Sequence, residues 1–287
     1  MGPRRSVVAR NGGRPGTRRE RRPPRAVRRA PAGPGLSFAC LGSSGAVPTA
    51  TRDTTALVVR AGRTVCLLDV GGSPVQKLRR VGIDPVALSA VVVTHTHPDH
   101  VYGLPALIQC LLILGRRAPL PIYCRVEHVG LVEQLLGLFG LADEGLAIPV
   151  LPVEPREGVQ MLETADLVMT ASPNVHGEMP NLAVRVDAAR RSLVYSSDTR
   201  PCAPVERLAR GASVLVHEAT FARPNPAEWH STAHEAGAVA RAAGVRRLYL
   251  AHVGYTVHTA LRSHVSAARA GFGGTVAMVE ELRWYRA

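Results

Sequence analysis

The chain has 287 residues, 46 % hydrophobic and 20 % charged, with a net charge of +13. This length admits one large domain or two small ones around an ample core, and no run of 18 or more apolar residues is present, which excludes a membrane-spanning helix. The expectation is a soluble protein.

Residues 1–35 hold eleven arginines against one acid, Glu20, so ten of the thirteen excess positive charges sit there. The segment is rich in Gly and Pro and has too little apolar content to offset the entropy of ordering, so it reads as a disordered basic tail before a domain over 36–287. Such a tail is either a phosphate-attracting arm that raises salt-dependent affinity for RNA, a solvated extension without a role, or the product of an upstream start in a GC-rich coding sequence. Lys77 is the single lysine beside 34 arginines, which favours the last two. The five cysteines, Cys40, Cys66, Cys110, Cys124 and Cys202, show no C-x-x-C spacing. They read as small buried residues in a reducing compartment, with the cytoplasm as the default.

In chain order, short strands are predicted at Leu36–Leu41, Thr55–Arg60 and Val65–Val70, an antiparallel start that ends on Asp69. A helix over Ser73–Val81 follows, with Ser73 as a candidate N-cap. The stretch Leu88–Val93 reads as a buried strand, Gly103–Leu114 as a half-buried helix, Pro121–Cys124 as a strand and Glu127–Phe139 as a helix. Strands follow at Ala147–Val153, Val159–Leu162, Leu167–Ala171, Ala183–Val186, Ser192–Ser196 and Ser213–His217. Helices near Ala203–Arg210, Ala233–Ala243 and Thr259–Ala270 alternate with strands at Arg246–Ala251 and Val276–Val279. The chain thus resolves into two similar halves, each a run of strands followed by strand-helix alternation. Two mixed sheets packed together with helices outside, an αββα sandwich of the α/β class, bury this pattern economically.

The strand at Leu88–Val93 runs into Thr94-His95-Thr96-His97-Pro98-Asp99-His100, an H-x-H-x-D-H cluster. His95 and His97 alternate along an extended segment and point the same way, while Asp99 and His100 follow the turn that Pro98 imposes. Imidazole and carboxylate without thiolate argue for a catalytic site with open positions, suited to two adjacent zinc ions, rather than a closed structural one. Further donors are expected at later strand ends, and His176, Asp198 and His252 each follow an apolar run.

In this order of motifs the chain resembles the metallo-β-lactamase superfamily, whose fold is the four-layer αββα sandwich. The resemblance implies that His95, His97 and His176 hold one zinc ion, that Asp99, His100 and His252 hold the other, and that Asp198 bridges them; manganese or iron would suit the same donors. His97 stands where related diiron oxidoreductases carry a glutamate, which favours hydrolysis over a flavin-partnered or mononuclear iron oxidoreductase. Leu41–Thr49 with Arg52, Gly103-Leu104-Pro105, Ser197–Pro201, His217–Phe221 and His230–Ala233 resemble ribonuclease Z, the endonuclease that removes 3′ trailers from precursor tRNA. The resemblance implies a partner, precursor tRNA, and a proton donor, His230, oriented by Glu218; in a two-zinc hydrolysis Asp99 can also accept or orient the proton of the attacking water. Members of the family are often homodimers. Read without the family, Glu218 is equally a surface carboxylate and His230 a residue beside a helix cap at Ser231. Arg52 is a candidate phosphate contact or a surface arginine paired with Asp53.

Three departures stand out. Only 22 residues separate His176 from Asp198, too few for the tRNA-gripping arm of common bacterial members. The sequence after His252 lacks the family's arginine, and the loop Pro48–Asp53 keeps Arg52 but not the expected lysine and asparagine. The alternative is therefore a phosphodiesterase for small substrates such as cyclic nucleotides. A non-catalytic RNA-binding module would rest on the tail alone. His128, His234, His258 and His264 read as helix-surface residues without a role.

Overall fold

The computed structural model describes residue 33 and residues 35–141, 145–224 and 229–287. The predicted basic tail, apart from Gly33 and Gly35, lies outside the described residues.

The described residues form two sheets of seven strands, and the first half of the chain supplies six strands of one sheet while the second half supplies all seven of the other, to one plan. In the first half, β1 (Ser37–Gly42), β2 (Ala56–Ala61) and β3 (Thr64–Leu68) form an antiparallel meander. Then β4 (Ala90–Val93), β5 (Ile122–Arg125) and β6 (Val150–Val153) add on parallel to β3. The crossovers run through α1 (Pro74–Arg80), the short α2 (Pro98–Val101) with α3 (Leu104–Ile113), and α4 (Val129–Leu138). The second half repeats this. An antiparallel run of β7 (Val159–Glu163), β8 (Val168–Pro173), β9 (Leu182–Ala188) and β10 (Arg191–Tyr195) is extended by β11 (Val214–Glu218), β12 (Arg247–Ala251) and β13 (Thr275–Met278), parallel to β10. Its crossover helices are α5 (Ala203–Ala209), α6 (Ala233–Ala242) and α7 (Leu261–Phe272).

Strand parity builds the layers. In β1 to β4 the side chains Phe38, Cys40, Leu57, Val59, Cys66, Leu68, Ala90 and Val92 meet the other sheet. Their neighbours Ala39, Leu41, Val58, Val65, Leu67, Val91 and Val93 meet the first helix layer. Leu193, Tyr195, Val214 and Val216 face between the sheets, while Val194 and Leu215 face α5 to α7. Strands buried on both faces read as continuous apolar runs rather than alternating ones, which is why they were legible without a period-2 signal. The four-layer αββα arrangement follows.

One strand was not predicted. β14 (Trp284–Arg286) pairs antiparallel with β1, Ser37 opposite Arg286. The last strand thus leaves the second half and closes the edge of the first sheet. Three residues ending on Arg286 carry too short a pattern to read, and the partner lies at the other end of the domain. Ser73 does stand at the N-cap of α1 but makes no side-chain capping bond, and Pro74 occupies the first turn. At α6 the cap is Thr232 in a full capping box with Glu235, one residue beyond the expected Ser231. No described helix is long and apolar enough to cross a membrane.

Candidate metal centre and active site

The ends of β3, β4, β8, β10, β11 and β12 open at one rim between the sheets, the place where parallel strands of α/β proteins usually present ligands. Beyond β4, His95 Nε2 lies 3.0 Å from His97 Nδ1, and His176 Nε2, from the loop after β8, lies 3.1 Å from the same atom. Asp198, after β10, sets Oδ2 3.8 Å from His95 Nε2 and 3.9 Å from His176 Nε2. That oxygen also lies 3.3 Å from His100 Nε2 and 3.1 Å from His252 Nε2, while Asp99 Oδ2 is 3.5 and 3.4 Å from those nitrogens. The seven predicted ligands therefore converge as two four-atom pockets that share Asp198. Four donors held about 2 Å from one tetrahedral ion stand roughly 3.3 Å apart, close to these spacings.

The hydrogen bonds behind the rings decide which nitrogen faces inward. His100 Nδ1 donates to Asp69 Oδ2 at 2.8 Å, and His176 Nδ1 donates to the Trp229 carbonyl at 3.2 Å. His252 Nδ1 meets Thr220 Oγ1 at 2.9 Å and His95 Nδ1 meets Thr94 Oγ1 at 3.2 Å, both hydroxyls being donors to carboxylates themselves. Each ring so fixed turns its Nε2 to the pocket, as metal-ligating histidines do. His95 and His176 turn their Nε2 lone pairs toward the same atom, His97 Nδ1, which has at most one proton to offer the two. Asp198 Oδ1 and His100 Nε2 are buried with no hydrogen-bond partner. Five imidazoles and two carboxylates with orphaned inward atoms fit a pair of divalent ions.

Burial lowers the pKa of His95, His97 and His176, which keeps them neutral and ready to ligate. His100 and His252 go the other way. Burial opposes their charging, but the Asp198 carboxylate outweighs it and raises both.

Beside this cluster, His230 Nδ1 lies 2.9 Å from Glu218 Oε1 and 4.0 Å from Asp198 Oδ2. Glu218 is fully buried at the end of β11, on the parity of Val214 and Val216, and its second oxygen accepts from the Thr220 amide and hydroxyl. Burial opposes charge on His230, but the bond to Glu218 and the nearby Asp198 prevail, so its pKa stands above the ordinary imidazole value. The pair predicted from the H-E-A-T-F and H-S-T-A motifs is thus assembled at the rim.

Arg52 is placed differently. Its Nη1 turns inward to Ser43 Oγ and the Val279 carbonyl, and Asp53 pairs with Lys77 at 2.8 Å instead. Two of the unassigned histidines are not surface residues. His128 is buried and donates to the Pro180 carbonyl at 2.7 Å, and His264 is buried and donates to the Ala219 carbonyl at 2.7 Å. His258 is half-buried, 3.1 Å from Ser44 Oγ, and only His234 is exposed. Their partners are backbone or loop atoms far away in sequence, invisible to local patterning.

The residue that sequence reasoning missed is Asp69. Beyond His100 it accepts from the Thr94 amide and hydroxyl and from Tyr195 Oη at 2.9 Å, joining both sheets behind the centre. Its position at a strand end before Gly71-Gly72 was the available signal. Asp69, Ser197 and His252 all adopt positive φ, at 61°, 53° and 48°. Such backbone costs about 1–3 kcal/mol per residue and persists where surrounding bonds over-determine it, here through Thr94, Asn181 and Thr220. Gly45 closes the floor, since an added Cβ would lie 3.0 Å from His252 Cε1.

A family model described as a beta-lactamase superfamily domain matches residues 64–253. The chain belongs to this superfamily. It is similar to Ribonuclease Z of Methanosarcina mazei, 31 % identical in an alignment that covers 76 % of this chain and 87 % of that protein. It is also similar to Ribonuclease Z of Bacillus licheniformis, 28 % identical, covering 83 % and 94 %. Among solved structures, the metallo-beta-lactamase fold protein YhfI from Bacillus subtilis superposes with a TM-score of 0.77 at 22 % identity, covering 88 % of this chain and all of that one. The short form of human tRNase Z gives 0.71 at 20 %, covering 87 % and 98 %. Within the superfamily the chain is ribonuclease Z-like, a metal-dependent hydrolase.

Proposed function

We propose that this hydrolase is a ribonuclease Z-type endonuclease that cleaves the phosphodiester bond at the 3′ end of precursor tRNA. The observation that carries the reading is the His230–Glu218 pair set 4.0 Å from the carboxylate shared by both ligand pockets. In this reading His95, His97 and His176 hold one zinc ion, Asp99, His100 and His252 the other, and Asp198 lies between them. Two such ions supply Lewis-acid polarisation of the phosphoryl group and acidify water near neutral pH.

The chain's own residues do the rest. Asp99, whose Oδ2 faces His100 Nε2 and His252 Nε2, orients the attacking water and accepts its proton. Glu218 holds Nδ1–H of His230, which leaves the proton on Nε2 for the departing ribose oxygen. Because the pKa of His230 is raised, its acid form extends to higher pH than that of an ordinary imidazole. Arg52 serves the substrate only through the guanidinium nitrogens not spent on Ser43 and Val279.

A second reading has one observation in its favour. The interval between His176 and Asp198 is spent on β9, β10 and a tight turn with Ala189 at φ 52°, which leaves no room for a tRNA-gripping arm. A phosphodiesterase for small substrates would need none. Metal-loaded protein is therefore incubated with a 3′-extended precursor tRNA and, separately, a chromogenic phosphodiester, each against Asp198→Ala. Cleavage at the acceptor-stem end that the variant loses supports the endonuclease; turnover of the small ester alone supports the second reading.

A further inference from the structure

Aromatic residues make up only 4 % of the chain, and four aromatic side chains are exposed among the described residues: Tyr102, Phe139, Trp229 and Tyr255. Three of them adjoin the centre in sequence, Tyr102 after His100, Trp229 before His230 and Tyr255 after His252. Exposed aromatic surface forgoes burial worth roughly 25 cal/mol per Å², so its concentration at one rim calls for a reason.

Trp229 is the most firmly built of the three. Its carbonyl receives the Nδ1 proton of His176, and its indole stands at 87° to that imidazole with centroids 6.2 Å apart. One indole face lies on Gly177. A Cβ added at Gly177 would come within 2.5 Å of the ring, and the φ of 59° there also favours glycine. The indole nonetheless remains 49 % exposed. A rigid aromatic face, backed by backbone and open to solvent, thus stands next in the chain to the proton donor His230.

We propose that Trp229 is a stacking platform for the base of the nucleoside that carries the leaving oxygen. This rests on the endonuclease reading, in which His230 Nε2 delivers its proton to that oxygen. The sugar bearing the oxygen then lies at His230, and its base emerges beside the neighbouring residue. Stacking on an indole tolerates any base and is a general device for gripping single-stranded nucleic acid. It would hold the reacting nucleotide at the centre itself.

The test uses full-length metal-loaded protein and short RNAs with one abasic ribose on either side of the scissile phosphate. Loss of the leaving-side base should raise KM about tenfold in the wild type, with kcat little changed, and should cost nothing further in Trp229→Ala. Trp229→Phe should restore much of the discrimination. Metal content of Trp229→Ala should match the wild type, because the main-chain carbonyl that receives the His176 proton is kept. Binding of RNA should quench tryptophan fluorescence, and the leaving-side abasic RNA should not. The remaining tryptophan, Trp284, is half-buried and donates to the Val81 carbonyl, so it provides a constant background. An abasic penalty that survives in Trp229→Ala, or equal quenching by both RNAs, overturns the proposal. Absence of Asp198-dependent RNA cleavage would instead sink the endonuclease reading, and the quenching titration, which needs only binding, would still decide the platform.

Discussion

The two halves share one plan and serve the centre in opposite ways. The first sends four donors from a single strand end, His95 to His100, within six residues. The second sends one residue from each of four strand ends, His176, Asp198, Glu218 and His252. The clustered donors are set by local chain geometry. The scattered ones are set only when β8, β10, β11 and β12 lie side by side, so the second half ties chemistry to the packing of its sheet. The halves meet at Asp69, which binds His100 on one side and Tyr195 on the other, and at Asp198, whose Oδ2 faces imidazoles of both.

The largest effect should come from breaking the shared carboxylate. Asp198→Ala should lower turnover by on the order of 10³-fold or more, since the loss of ion placement removes several kcal/mol of transition-state stabilisation, and bound metal should fall with it. His230→Ala separates proton delivery from metal holding. It should cost roughly 10²-fold or more in kcat with metal content unchanged; a loss of metal would place His230 among the ligands. Asp69→Asn weakens the seam and should reduce metal affinity about 10–100-fold, as removal of a partner behind a ligating histidine does, measured by competition with a chelator.

Glu218→Gln acts through pH. The pKa of His230 is raised in the folded protein because Glu218 outweighs burial, so the active acid form is present at low pH and lost as pH rises through that pKa. Without that carboxylate the upward shift shrinks, and the alkaline limb of the pH–rate profile should move to lower pH. An unmoved limb would remove Glu218 from its orienting role. The smallest effect is expected from deleting residues 1–35. A phosphate-attracting arm would leave a shallower salt dependence of RNA binding on its removal, whereas an unchanged salt slope would mark the segment as a bystander.

The same contrast explains what the sequence disclosed. His95, His97, Asp99 and His100 were legible because four donors in one loop form a local pattern. His176, Asp198 and His252 were legible only as polar residues ending apolar runs, and became a set through resemblance to a family. Most strands were found within two or three residues because both faces are buried and the runs are apolar throughout. β14 was missed because its pairing with β1 is long-range and its pattern is three residues long. Asp69, the burial of His128 and His264, and the inward turn of Arg52 each depend on a tertiary partner that no local pattern names.

A two-ion centre assembled from both halves is tested most directly by counting its ions. Purified protein is saturated with zinc, freed of excess and analysed for metal per chain, alongside His176→Ala and His252→Ala. The wild type should hold two ions and each variant one, because each substitution opens one pocket and leaves the other intact. A single ion in the wild type, or two retained in His252→Ala, would contradict this arrangement.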